Sequence, residues 1–137
     1  MPSIKVKHNV EMAHRLSQTA GKCEQIHGHS WWVILTVEGR DIGPNGMILE
    51  FGDVKRRFRD YLDTNFDHKT ILNNSDAVYR TLWGTYAVPG VRGVPFEPTT
   101  ENFAQHIYEW AMKEFGAGVY TYSVEVWETS VNCAVYP

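Results

Sequence analysis

The sequence predicts an α+β fold in which pairs of strands flank two consecutive helices, in the order β-β-α-α-β-β. Three observations predict it. Apolar residues alternate with period two across residues 4–16 and 27–38, later stretches carry them at helical spacing, and strand-like runs return at 119–127 and 132–136.

In the first strand Val10, Met12, His14 and Leu16 share one face. In the second, His27, His29, Trp31, Val33, Leu35 and Val37 do so. The intervening Ser17–Ile26 holds Gly21 and polar residues, as a hairpin loop does, and Gly43-Pro44-Asn45-Gly46 marks a second turn. Residues 53–63 read as a helix with Val54, Phe58, Tyr61 and Leu62 on one stripe. A second helix follows Pro98, capped by Thr99 or Thr100, with Glu101 in its first turn. Its stripe is Phe103, Ile107, Trp110, Ala111 and Phe115, and Gly116 ends it. Residues 74–97 show no periodicity and read as irregular. One domain over 1–137 with an antiparallel sheet is therefore expected. Two helices cover only one sheet face. The aromatic-rich chain (5 Trp, 7 Tyr, 6 Phe) is thus expected to form a homo-oligomer through the other face.

Composition excludes several function classes. The net charge of −3 and the lack of a long basic run argue against a nucleic-acid surface. Lys55-Arg56-Arg57-Phe58-Arg59 reads as a solvated helix face. No apolar run nears the roughly 20 residues of a membrane span. Met1–Lys7 lacks the apolar stretch of a secretory signal, so cytoplasmic residence is expected. Cys23 and Cys133 are expected as free thiols, with Cys133 buried in its strand.

His27-Gly28-His29 is the sharpest local feature, because residues i and i+2 of a strand project to one side and both imidazoles can reach one ion. The hairpin can return His14 beside them. Three neutral imidazoles suit zinc. Spacing leaves two arrangements equally open: an open site with a fourth position for water or substrate, or a closed one with Cys23 as the fourth ligand. His8 and His106 have no partner pattern. Cys23, in Gly21-Lys22-Cys23-Glu24, is a reactive thiol if a nearby cation favours its thiolate. Asp67-His68 is either turn chemistry or a proton shuttle whose ring the carboxylate orients. Glu128, ending a strand, can accept two hydrogen bonds from an amidine-like edge.

Together these pieces resemble the 6-pyruvoyltetrahydropterin synthase / 6-carboxytetrahydropterin synthase family. The matching motifs are Ala13-His14-Arg15-Leu16, Gly21-Lys22-Cys23 with His27-Gly28-His29, and Gly46-Met47-Ile48-Leu49-Glu50-Phe51. Asp67-His68 with Leu72-Asn73, Pro98-Thr99-Thr100-Glu101-Asn102 and Trp127-Glu128-Thr129 follow in the family's order. The resemblance implies the tunnelling fold, a four-stranded antiparallel sheet with two helices on one face. It also implies trimers stacked into a hexamer, with sites between subunits. It assigns Zn2+ to His14, His27 and His29, and proton transfer to Cys23, Asp67 and His68. Glu128 becomes the anchor of the pterin ring, with Thr99 and Thr100 near it, and the substrate 7,8-dihydroneopterin triphosphate. By this resemblance Cys23 is catalytic rather than a ligand.

Three residues separate Cys23 from His27, as in the bacterial 6-carboxytetrahydropterin synthases of queuosine-type deazapurine biosynthesis. These release the carboxy product with acetaldehyde and triphosphate. The pyruvoyl-forming enzyme is the alternative product class, and a non-catalytic zinc-stabilised pterin- or purine-binding module the alternative outside enzymes. A cyclohydrolase-like activity would instead need cysteine at the metal. Arg15, Lys22 and Lys69 are candidates for the triphosphate. Residues 74–97 are longer than the family's usual link, Glu50 stands where Asp is usual, and Val10 where an aromatic is frequent.

Overall fold

Ser3–His14 (β1) and His27–Glu38 (β2) form a long antiparallel hairpin, in register from Ser3 opposite Glu38 to His14 opposite His27. A computed structural model describes residues 1–137. Phe51–Asn65 (α1) follows, then Lys69–Asn73 (β3) and a short helical segment, Ala77–Tyr79 (α2), that widens into a π turn over Arg80–Thr85. Val91–Val94 (β4), Thr100–Phe115 (α3), Thr121–Trp127 (β5) and Cys133–Tyr136 (β6) complete the chain. The strand order is β4-β3-β1-β2-β5-β6.

The sheet therefore has six strands rather than four, and it is mixed. The four expected strands pair antiparallel, whereas β3 runs parallel to β1, and β4 parallel to β3. These additions escape sequence patterning for physical reasons. In β3, Ile71 and Leu72 are both fully buried, so no two-residue alternation exists to detect. In β4 Gly93 interrupts the apolar run, and the structure needs it. A Cβ there would lie 2.5 Å from Tyr79 Cζ, so only glycine lets the Tyr79 ring lie against the strand. The stretch 74–97, expected to be irregular, thus carries β4 and the α2 segment.

The two long helices begin and end within two residues of the expected positions, and both cover one sheet face. Trp31, Leu35 and Val37 of β2 are fully buried against Val54, Phe58 and Leu62 of α1 and Phe103 and Ala104 of α3. The period-two face read for β2 is the face that meets the helices. On the opposite face Trp32 is 45% exposed, with the Lys7 ammonium 5.4 Å over its ring. Cys133, expected to be buried, is exposed, because β6 is an edge strand that no helix covers on that side.

Glu50 caps α1. Its two carboxylate oxygens accept the amide hydrogens of Gly52 and Asp53 at 2.8 and 2.7 Å, satisfying two of the four free N–H groups of the first turn. Glu50→Ala is expected to lower stability by about 1 kcal/mol in denaturant unfolding, with Glu50→Asp nearer wild type, as for other N-cap replacements. Equal stability of all three proteins would show the cap to be inert.

Candidate metal centre

The hairpin register builds the site. His14, the last residue of β1, stands opposite His27, the first of β2, and His29 follows on the same face. The ring centroids are 4.6 Å apart for His14 and His27, 5.0 Å for His27 and His29, and 5.6 Å for His14 and His29. Backbone carbonyls orient two rings. His14 Nδ1 donates to Pro98 O and His27 Nδ1 to Gln25 O, both at 2.7 Å. A carbonyl only accepts, so the proton sits on Nδ1 and each Nε2 presents its lone pair. The fully buried Trp31 packs edge-on to His14 and His29, and its Nε1 donates to Met12 O at 2.9 Å, locking the ring that backs the site.

The fourth member of the cluster is Glu128, one residue past the end of β5. Its Oε1 lies 2.8 Å from His29 Nε2 and 3.4 Å from His14 Nε2. One donor atom from each of His14, His27, His29 and Glu128 falls within 4.8 Å of the others. The short distances to the carboxylate do not have hydrogen-bond geometry, so the buried Nε2 atoms of His14 and His29 lack a hydrogen-bond partner. An orphaned buried polar atom costs about 1–3 kcal/mol. Lone pairs converging on a carboxylate oxygen are instead satisfied by a shared cation. Three imidazoles and a carboxylate are a donor set that zinc accepts. Burial depresses the pKa of His14, and the neighbouring His27 and His29 add to this against the opposing pull of the Pro98 carbonyl and Glu128. The neutral, ligating form is favoured.

Cys23 is not in this donor group. It sits exposed on a single 3₁₀ turn, Lys22–Glu24, where its carbonyl accepts Leu16 N at 2.8 Å. Of the two arrangements that spacing left open, the structure thus offers a fourth donor, but a different one. Asp67 and His68 form a pair: Asp67 Oδ2 holds His68 Nδ1 at 2.6 Å, and its Oδ1 accepts Glu11 N at 2.9 Å. Burial works to raise the Asp67 pKa, but the Glu11 amide and the His68 imidazole outweigh it and hold the carboxyl below its ordinary range. His68 has a positive φ of 58°, and its side chain is 78% exposed. It lines an open groove of about 470 Å³ with Glu11, Gly28, His29, Ser30 and Thr70, so one groove borders both His68 and a member of the imidazole cluster. Asp67 and His68 themselves lie outside the four-donor group.

Thr99 caps α3, its Oγ1 accepting Asn102 N at 3.1 Å, while Thr100 Oγ1 donates to Glu128 Oε2 at 3.3 Å. Of the triphosphate candidates, Arg15 is engaged by the buried Asp76 at 3.2 Å. Two contributors were not read from the sequence. Glu97 accepts Ser17 N at 2.6 Å and the Ser17 hydroxyl at 2.9 Å, binding the loop after β1 to the approach of α3. The Pro98 carbonyl orients His14. Neither leaves a sequence signal, since both act through loops that only the tertiary fold brings together.

A sequence model described as 6-pyruvoyl tetrahydropterin synthase matches residues 3–137. A Rickettsia typhi protein named 6-carboxy-5,6,7,8-tetrahydropterin synthase is 27% identical over 91% of this chain and 91% of its own length. A human protein named 6-pyruvoyl tetrahydrobiopterin synthase is 30% identical over 85% of this chain and 70% of its own. The solved structure of a Plasmodium vivax 6-pyruvoyltetrahydropterin synthase variant superposes with a TM-score of 0.76 at 17% identity, covering 98% of this chain and 96% of that one. The tunnelling fold implied by the motifs is therefore the fold present, with two strands more than expected, and the chain belongs to the 6-pyruvoyl tetrahydropterin synthase family.

Proposed function

We propose that this protein is a zinc-dependent 6-carboxy-5,6,7,8-tetrahydropterin synthase, converting 7,8-dihydroneopterin triphosphate to 6-carboxytetrahydropterin, acetaldehyde and triphosphate. The observation that carries the reading is the convergence of His14, His27 and His29 around buried, unpartnered Nε2 atoms. When bound there, zinc supplies Lewis-acid polarisation of the substrate's side-chain hydroxyls. The remaining roles fall to this chain's own groups. The two carboxylate oxygens of Glu128 receive the N–H edge of the pterin ring, with Thr100 holding the carboxylate and Thr99 fixing the start of α3. Cys23 Sγ, as thiolate, takes a proton from the carbon chain. His68 handles the opposite transfer at Nε2, its ring held by Asp67 through Nδ1.

Asp67 and His68 lie outside the four-donor group, and the groove that His68 and His29 share is wide open, which is consistent with an assembly in which a neighbouring subunit completes the site. We assign such a homo-oligomer, a hexamer built as a dimer of trimers. The exposed Trp32 on the uncovered sheet face is consistent with this assignment. No helix is long and apolar enough to cross a membrane, and cytoplasmic queuosine-type biosynthesis is the proposed setting. Mass analysis of products after incubating zinc-loaded protein with 7,8-dihydroneopterin triphosphate tests the reading. Acetaldehyde and the carboxy product are expected. The human relative favours a second reading, in which triphosphate is eliminated to give the pyruvoyl product. No turnover by zinc-loaded protein overturns both.

A further inference from the structure

We propose that Glu128 serves two partners in turn: the metal ion as fourth ligand while the site is free of substrate, and the ring edge once substrate enters. Its departure opens the coordination position. The proposal rests on the reading of Glu128 as ring anchor and goes beyond it.

The geometry is specific. Oε1 lies among the imidazole nitrogens, 2.8 Å from His29 Nε2, and belongs to the set of four converging donors. Oε2 points the other way and accepts the Thr100 hydroxyl at 3.3 Å. The backbone of Glu128 is fixed, because its N–H donates to Asn132 O at 3.1 Å across the β5–β6 turn. Any change of partner must therefore come from rotation of the side chain, which is 24% exposed. Cys23 lies outside the donor set, so no other side chain of the chain competes for the fourth position.

The two uses compete. Holding an amidine-like edge with two parallel hydrogen bonds turns both carboxylate oxygens toward the ring, and that turn withdraws Oε1 from its place among the imidazole nitrogens, 2.8 Å from His29 Nε2. The three imidazoles remain in either state, so the ion stays while one position is vacated. A four-donor site is closed in the manner of structural zinc, whereas a three-donor site can accept a substrate oxygen. Linkage makes the coupling reciprocal: a ring that draws Glu128 away weakens the hold on the ion by the factor by which the ion weakens the hold on the ring.

Cobalt(II) in place of zinc reports the coordination through its visible absorption. The full chain is loaded with cobalt and titrated with 2-amino-4-oxopteridine, which carries the ring edge but no hydroxylated side chain. In the wild type the cobalt band is expected to change as the ring binds, followed independently by ring fluorescence. In Glu128→Gln the band is expected to start displaced and to ignore the ring. Cobalt affinity is expected to fall at least the about tenfold that loss of even an outer-shell partner costs. Identical spectra and affinities in the two proteins overturn the proposal while leaving the three-histidine site intact. A wild-type band unmoved at ring saturation, or a ring that does not bind, overturns it without recourse to the variant. A wild type that binds no cobalt removes the metal reading and the proposal together.

Discussion

Replacing His29 with alanine is expected to leave a folded protein that neither retains zinc nor turns over 7,8-dihydroneopterin triphosphate. Among the three imidazoles this one separates metal loss from fold loss. The His14 side chain is buried, wedged between Trp31 and Phe103, and its removal opens a core cavity as well as a ligand position. His29 is 22% exposed at the mouth of the same cluster, so truncation there leaves the hydrophobic packing in place. The variant keeps His14, His27 and Glu128, three donors in place of four, and only the two imidazoles once Glu128 turns to the ring, so the ion is lost where turnover needs it. Lewis-acid polarisation is worth several kcal/mol at the transition state, and each 1.36 kcal/mol is tenfold in rate, so the fall in turnover is about 10³-fold or more. Metal content by emission spectroscopy, far-UV circular dichroism and product formation are read on one preparation. A folded His29→Ala protein with stoichiometric zinc and wild-type turnover would remove His29 from the ligand set.

The clustering of the three imidazoles was legible because it rests on the most local rule available. Side chains two apart on a strand share a face, and a hairpin returns the preceding strand to its partner. His27, His29 and the opposed His14 are therefore close wherever the alternation of Val33, Leu35 and Val37 sets the strand. Glu128 was legible as a carboxylate at a strand end but not as a neighbour of those imidazoles. That adjacency depends on the pairing of β2 with β5, Trp32 opposite Trp127, across more than ninety intervening residues. No periodicity encodes such a register.

The added strands were hidden for a related reason. A strand paired on both sides and buried on both faces loses the alternation that identifies it, as Ile71 and Leu72 do. Gly93 in β4 is kept for the sake of the Tyr79 ring rather than for strand propensity. Asp67 and His68 were visible as a pair. They lie outside the donor group because they enter β3 beside Glu11, whose N–H donates to Asp67 Oδ1 and whose carbonyl accepts His68 N, three residues along β1 from His14.

Cys23→Ala is expected to reduce turnover by about 10²–10⁴-fold, the usual contribution of one positioned proton transfer, with zinc content unchanged. The unchanged metal is the discriminating half of the result. A cysteine four residues before a ligating histidine suits a zinc-binding thiolate as well as a catalytic one, and only position separates the two. Here the chain passes from Cys23 to His27 through Gln25. The Gln25 N–H donates to Lys22 O at 3.2 Å and its carbonyl accepts His27 Nδ1, so the turn is tied to a ligand's outer edge rather than to its lone pair. The other end of the loop is tied by Ser17 to Glu97, beside the Pro98 carbonyl that orients His14. Cys23 is thereby carried on a segment anchored at both ends to groups that aim the imidazoles, an arrangement that keeps it out of the donor set and suits the proton transfer proposed for it. Loss of zinc from Cys23→Ala, or a sulfur-to-cobalt charge-transfer band in the cobalt-loaded wild type, would make the thiolate a ligand. Glu128 would then have only the ring to hold.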